Sequence, residues 1–108
     1  MTETPHVHEG AHALFVTHRA KPGRRDDVLA TWSRHLRPLI EANPDHLAYA
    51  YCFDDADADV VRVFQLYRSA AAADAFLQLP GYAEYLAHVM EDVAEPPRLD
   101  TATPQWMK

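Results

Sequence analysis

The sequence contains one cysteine, Cys52, among 108 residues. That excludes an internal disulfide, a CxxC redox pair and a zinc–cysteine cluster, and it suits a reducing, cytoplasmic setting. Glycine is scarce, at three residues, and no glycine-rich phosphate loop or collagen-like repeat is present. No apolar run approaches the roughly 18 residues of a membrane span. The opening stretch, residues 1–10, has neither a basic start nor an apolar core, so it does not read as a signal peptide. Basic residues are outnumbered: 10 Lys and Arg face 16 Asp and Glu, for a formal net charge of −6. The acids gather at 54–59 and 91–95, and only the short turn at 21–25 is basic. Phosphate neutralisation on nucleic acid is therefore not expected.

What is present suits one soluble domain, 48% hydrophobic and 24% charged. A chain of this size hides only roughly 65% of its unfolded surface, so an oligomer would help bury the rest. Residues 1–11, with Pro5, His6, His8 and Gly10, read as a flexible arm ahead of a single domain over 12–108. His6, His8 and His12 look like metal ligands by composition. Their irregular spacing supports adventitious binding at most, and no resident metal is expected. The acidic stretch from Asp55 to Asp59 lacks the glycine and glutamate of a calcium loop and reads as a solvated hairpin turn.

Periodicity supplies the elements. Residues 13–19 form a strand stopped by Lys21-Pro22-Gly23. Asp26 or Asp27 is positioned to cap a helix whose stripe is Val28, Leu29, Trp32, Leu36, Leu39 and Ile40, with Pro38 set to kink it. Residues 46–53 alternate, placing Leu47, Tyr49, Tyr51 and Phe53 on one face. Ala48, Ala50 and Cys52 fall on the other, where Cys52 reads as a buried thiol. Residues 60–67 are a third strand, closing a hairpin. Ser69 caps a second helix that Pro80-Gly81 interrupts, and residues 99–106 read as a fourth strand. The order βαββαβ is that of a ferredoxin-like α+β subunit with both helices on one face of the sheet. The third strand is apolar on both faces, Val61, Val63 and Tyr67 against Val60, Phe64 and Leu66. Helices cover one face, so a second copy is expected over the other, as a homodimer.

Four stretches resemble the antibiotic biosynthesis monooxygenase family. Lys21-Pro22-Gly23 stands where that family has a "KPG" turn. Residues 43–49, Asn-Pro-Asp-His-Leu-Ala-Tyr, stand in the place of "EPGCLSY". Residues 63–69, Val-Phe-Gln-Leu-Tyr-Arg-Ser, stand in the place of "LYEVWES", and residues 75–82 in the place of "AHLATPHF". The family's strand glutamate and tryptophan are here Gln65 and Tyr67, its helix histidine is Phe76, and its cysteine is His46. The resemblance implies a dimeric α+β barrel with a cleft between helices and sheet. It further implies oxygenation of a phenolic or quinol-type aromatic ring by O2 with no flavin, haem or metal cofactor. The same fold also suits a non-catalytic ligand-binding or regulatory dimer, or a small-molecule isomerase.

Candidate residues follow from that cleft. His18 ends the first strand on the face of Leu14 and Val16. It reads either as the general base for phenol deprotonation or as a strand-end histidine bonded to backbone or solvent. Gln65 and Tyr67 share a face amid apolar neighbours. They either orient a substrate, completing the catalytic set with His18, or satisfy each other locally. Trp32, Phe76, Tyr82 and Tyr85 lie on the inner helical stripes, as substrate-binding aromatics or as plain core.

Overall fold

The computed structural model describes residues 10–108. His6 and His8, with most of the expected arm, lie outside the described residues. Eight elements follow in order: β1 (His12–Arg19), α1 (Arg25–His35), α2 (Arg37–Ala42), β2 (His46–Phe53), β3 (Val60–Tyr67), α3 (Ala70–Leu77), α4 (Pro80–Val89) and β4 (Arg98–Ala102). The strands form one antiparallel sheet in the order β2-β3-β1-β4, the ferredoxin-like α+β arrangement that the element order implies.

Each helix of the sequence pattern divides in two at its proline. Pro38 occupies the first turn of α2, where its missing N–H costs nothing, and Leu36 ends α1 just ahead of it. Pro80 opens α4 in the same way. Ser69 Oγ accepts the Ala72 N–H at 3.0 Å, a cap that stabilises α3 by about 1 kcal/mol. The start of α1 differs from expectation. Arg24, without a side-chain cap bond, occupies the cap position, and Asp26 and Asp27 fall in the first turn. Gly23, at φ +77°, lets the chain turn tightly enough for Arg24 N–H to reach Lys21 O at 2.9 Å. The helix therefore begins before either aspartate can cap it. Gly81 has a different reason: a Cβ there would lie 2.6 Å from Leu39 Cδ1, so a larger residue would have to displace the end of the Leu39 side chain between α4 and α2.

The core lies between the helices and one sheet face, built on Leu14, Val16, Val61 and Val63 below Val28, Phe76, Tyr85 and Val89. Among the described residues the opposite face has no such cover. Phe15 is 43% exposed and stacks on Phe64 at 5.4 Å between ring centroids. Leu47, Leu66, Trp106 and their neighbours complete an apolar hollow of about 580 Å³ there.

Three strand expectations change. The β2–β3 register pairs His46 with Tyr67 and then Ala48 with Leu66, a bulge that leaves Leu47 as the extra residue. Past an extra residue, alternation no longer carries side-chain direction across it. Leu47 thus joins the exposed face rather than the tyrosine face, and His46 comes to lie against Tyr67 and Phe76. Cys52, expected buried, is exposed, because nothing in the described subunit packs on its side of the sheet. The fourth strand is shorter than expected and ends before Pro104.

Candidate functional site

The inner sheet face carries polar groups within an otherwise apolar core. His18, on β1 opposite Val61, is 4% exposed, and its Nδ1 has no hydrogen-bond partner among the described residues. Burial strips water from the imidazolium and lowers its pKa to about 4. At neutral pH His18 is an uncharged imidazole with a free ring nitrogen.

Gln65 lies on β3, opposite Leu14 and Tyr49. Its Oε1 accepts the Tyr67 hydroxyl at 2.6 Å and stands 3.0 Å from His46 Nε2. The neighbouring bonds assign the proton. Asn43 Oδ1 accepts the Asp45 N–H at 3.2 Å, which turns the Asn43 amide nitrogen toward His46 Nδ1 at 2.9 Å. Nδ1 accepts that bond, so Nε2 carries the hydrogen and donates it to Gln65. Burial lowers the His46 pKa, against the Gln65 bond and the Asp45 charge, which raise it.

All five tyrosines of the chain belong to this core or pack against it. Burial raises the pKa of Tyr49, Tyr51, Tyr67, Tyr82 and Tyr85 alike. Their phenols remain protonated at neutral pH. The Trp32 indole N–H donates to the Tyr49 hydroxyl at 3.0 Å and packs on Tyr51 at 4.4 Å.

His18, Gln65, Trp32, Tyr82 and Tyr85 come together, with Tyr49, around one small chamber of about 20 Å³. That is room for a single water molecule and far too little for an aromatic ring. An aromatic ring therefore enters only if half-buried Trp32 or Tyr82 moves aside. Tyr67 and Phe76 do not line the chamber; both pack on His46, at 4.3 and 4.6 Å between centroids. Beyond Trp32 lies an open groove of about 500 Å³ walled by Leu29, Trp32, Tyr51 and Phe53. Among the described residues no cluster of three His, Cys, Asp or Glu side chains could hold a metal ion.

Sequence reasoning missed His46 and Tyr49. Tyr49 carried a signal, since it alternates with Tyr51 toward the helices. His46 carried none in its periodicity, because the bulge reverses its expected side; the turn residues Asn43 and Asp45 that fix its tautomer were the available clue.

A four-stranded ferredoxin-like sheet under paired helices, with His18 buried among aromatics between them, defines the α+β class of this chain. The chain belongs to the antibiotic biosynthesis monooxygenase family, whose model matches residues 11–88. Solved structures agree on the fold. A candidate antibiotic biosynthesis monooxygenase from Chloroflexus aurantiacus superposes with a TM-score of 0.75 at 22% identity, covering 91% of this chain and 96% of that one. Rv0793 from Mycobacterium tuberculosis gives 0.77 at 24% identity, with 90% and 97% covered. A candidate antibiotic biosynthesis monooxygenase from Nitrosomonas europaea gives 0.81 at 13% identity, with 90% and 92% covered. No curated protein is similar enough to this sequence to match it. No helix among the described residues is long and apolar enough to cross a membrane.

Proposed function

We propose that this protein is a cofactor-independent monooxygenase that uses O2 on a phenolic or quinol-type aromatic ring, acting as a homodimer. Family membership supports this reading. The observation that carries it is the unpartnered nitrogen of buried His18 in a chamber walled by Trp32, Tyr49, Tyr82 and Tyr85. A ring admitted there meets a base that no protein group occupies. His18 takes the phenol proton, and the imidazolium and phenolate stabilise each other where water is scarce. The electron-rich phenolate passes one electron to O2, and the ring radical and superoxide combine to form the C–O bond. The proton held on His18 then neutralises the resulting peroxide anion, and the hydroperoxide loses water as its O–O bond breaks and the hydrogen on the same ring carbon departs, leaving one oxygen atom on the ring as a quinone carbonyl. Tyr67 holds Gln65 in place, and Gln65 presents its amide nitrogen, free of the bonds above, toward the ligand.

The homodimer is supported by the outer face, where Phe15, Leu47 and Trp106 remain exposed. A second copy supplies the complementary apolar surface. A non-catalytic ligand-binding dimer is the second reading, favoured by the weak basicity of His18, at a pKa of about 4.

A panel of hydroquinones followed by absorbance, with and without oxygen, separates the two. Oxygen-dependent product that persists after exhaustive chelation is expected, and activity lost to chelator and restored by iron overturns the mechanism. His18→Ala should lower kcat/KM by at least about tenfold with the fold retained. Because His18 must be unprotonated, the wild-type rate should fall only as pH approaches about 4, well below an ordinary histidine.

A further inference from the structure

Phe53, one wall of the groove outside Trp32, carries on its ring a cation that the proposed mechanism does not use. Helix α1 presents Arg25, Leu29 and Trp32 along one stripe at i, i+4 and i+7, facing Tyr51 and Phe53 of the edge strand β2. The Arg25 guanidinium lies over the Phe53 ring, 4.0 Å from its centroid. One nitrogen alone, Nη1, is engaged: it donates to the carbonyls of Asp54, Asp57 and Val60 at 3.2, 3.0 and 3.2 Å.

Among the described residues, Nε and Nη2 of Arg25 make no hydrogen bond, and no carboxylate lies within ion-pair distance. The nearby acids are committed elsewhere, Asp54 to Arg62 at 2.6 Å and Asp57 to Arg19 at 3.1 Å. In a chain of net charge −6, an arginine left without a carboxylate beside an aromatic wall is an anion site in waiting.

We propose that this groove binds a planar aromatic anion, its ring against Trp32, Tyr51 and Phe53 and its carboxylate or phenolate on the free fork of Arg25. An aliphatic anion would forgo the aromatic wall, and a neutral ring would leave the guanidinium without a counter-charge. A polyanion would meet the acidic turn at 54–59. Because Trp32 also lines the inner chamber, a ligand held in the groove sits against one of the two side chains, Trp32 or Tyr82, whose movement would admit it. The inference goes beyond turnover, since occupancy is read without oxidation of the ligand and fails or succeeds separately from the monooxygenase reading.

The test is calorimetric titration of the full chain with 1-hydroxy-2-naphthoate and with its neutral primary amide. The anion should bind at least about tenfold more tightly. Backbone amide shifts should concentrate at Leu29, Trp32, Tyr51 and Phe53. Arg25→Gln should cost the naphthoate about tenfold and leave the amide unchanged. Arg25 also ties down the β2–β3 turn, so Arg25→Lys, which keeps the charge and loses the fork, provides a second variant with an intermediate loss. Equal affinity for anion and amide on the unaltered protein overturns the proposal without recourse to any variant. So does failure of the naphthoate to bind, or a shift map centred on Phe64 and Trp106.

Discussion

The two faces of β3 are made from one eight-residue strand and have opposite characters. Val61, Val63, Gln65 and Tyr67 are buried beneath the helices, whereas Arg62 is exposed and Phe64 and Leu66 are half covered. The buried face holds Gln65 and the Tyr67 hydroxyl among valines, and the other face sets exposed Arg62 beside apolar Phe64 and Leu66, with Val60 buried at its start. A polar side chain can be buried when a specific partner meets it, as the Tyr67 hydroxyl meets Gln65, whereas an uncovered apolar patch needs a large complementary surface.

The comparison breaks most sharply with a carboxylate placed on each face. Val61 is wholly buried, so Val61→Asp should cost more than about 4 kcal/mol and abolish the cooperative urea transition. Phe64→Asp, three residues along on the other face, should keep near-native circular dichroism. It should halve the mass seen by light scattering, from dimer to monomer. A wild-type chain that scatters as a monomer would remove the homodimer and leave the apolar face unexplained.

Within the buried face, Gln65→Leu is next in size. It strips the acceptor from both the Tyr67 hydroxyl and His46 Nε2, leaving two donors unsatisfied at a cost of about 3 kcal/mol. Adding Tyr67→Phe should recover part of that loss, because one stranded hydroxyl disappears. A double variant no more stable than Gln65→Leu alone would show that the pair is not coupled.

His18 gives a pH signature of somewhat smaller size. Its folded pKa is lowered from 6.5 to about 4, so between those values the unfolded chain binds the extra proton. The contribution is complete above 6.5 and is lost as pH falls toward 4. From pH 7 to pH 5 the loss is about 2 kcal/mol. His18→Leu should flatten the dependence of the urea midpoint on pH by that amount, and identical slopes would mean that His18 is hydrated in the folded protein.

How much was legible in the sequence follows the range of the signal. Local chemistry read true at the prolines and at Ser69: the expected helices break at Pro38 and at Pro80, Ser69 caps α3, and the element order βαββαβ gives the ferredoxin-like sheet. His18, Gln65, Trp32, Tyr82 and Tyr85 meet in one chamber because alternation and helical stripes place them on a common face. What failed has separate causes: Gly23 starts α1 ahead of Asp26 and Asp27, the uncovered sheet face leaves Cys52 exposed, and one inserted residue resets β2. The bulge at Leu47 costs little locally and is invisible to a period-2 pattern, yet it exchanged the sides of His46 and Leu47. Arg25 was illegible for another reason: whether a cation is neutralised depends on partners distant in sequence, and Asp54 and Asp57 are claimed by Arg62 and Arg19.

The smallest effect concerns a hydroxyl that neither face accommodates. The Tyr51 oxygen is buried with no hydrogen-bond partner among the described residues, whereas the Tyr49 oxygen, two residues earlier, accepts the Trp32 indole N–H at 3.0 Å. Removing an unsatisfied buried hydroxyl relieves a desolvation cost and opens only a very small space. Removing an engaged one strands its donor. Tyr51→Phe should therefore be neutral or stabilising by up to about 1 kcal/mol, and Tyr49→Phe destabilising by about 1 kcal/mol. Paired urea titrations at pH 7 measure both. If Tyr51→Phe proved the more damaging of the two, the hydroxyl would have a partner in solution, and the wall between the groove and the chamber would be wetter than its packing implies.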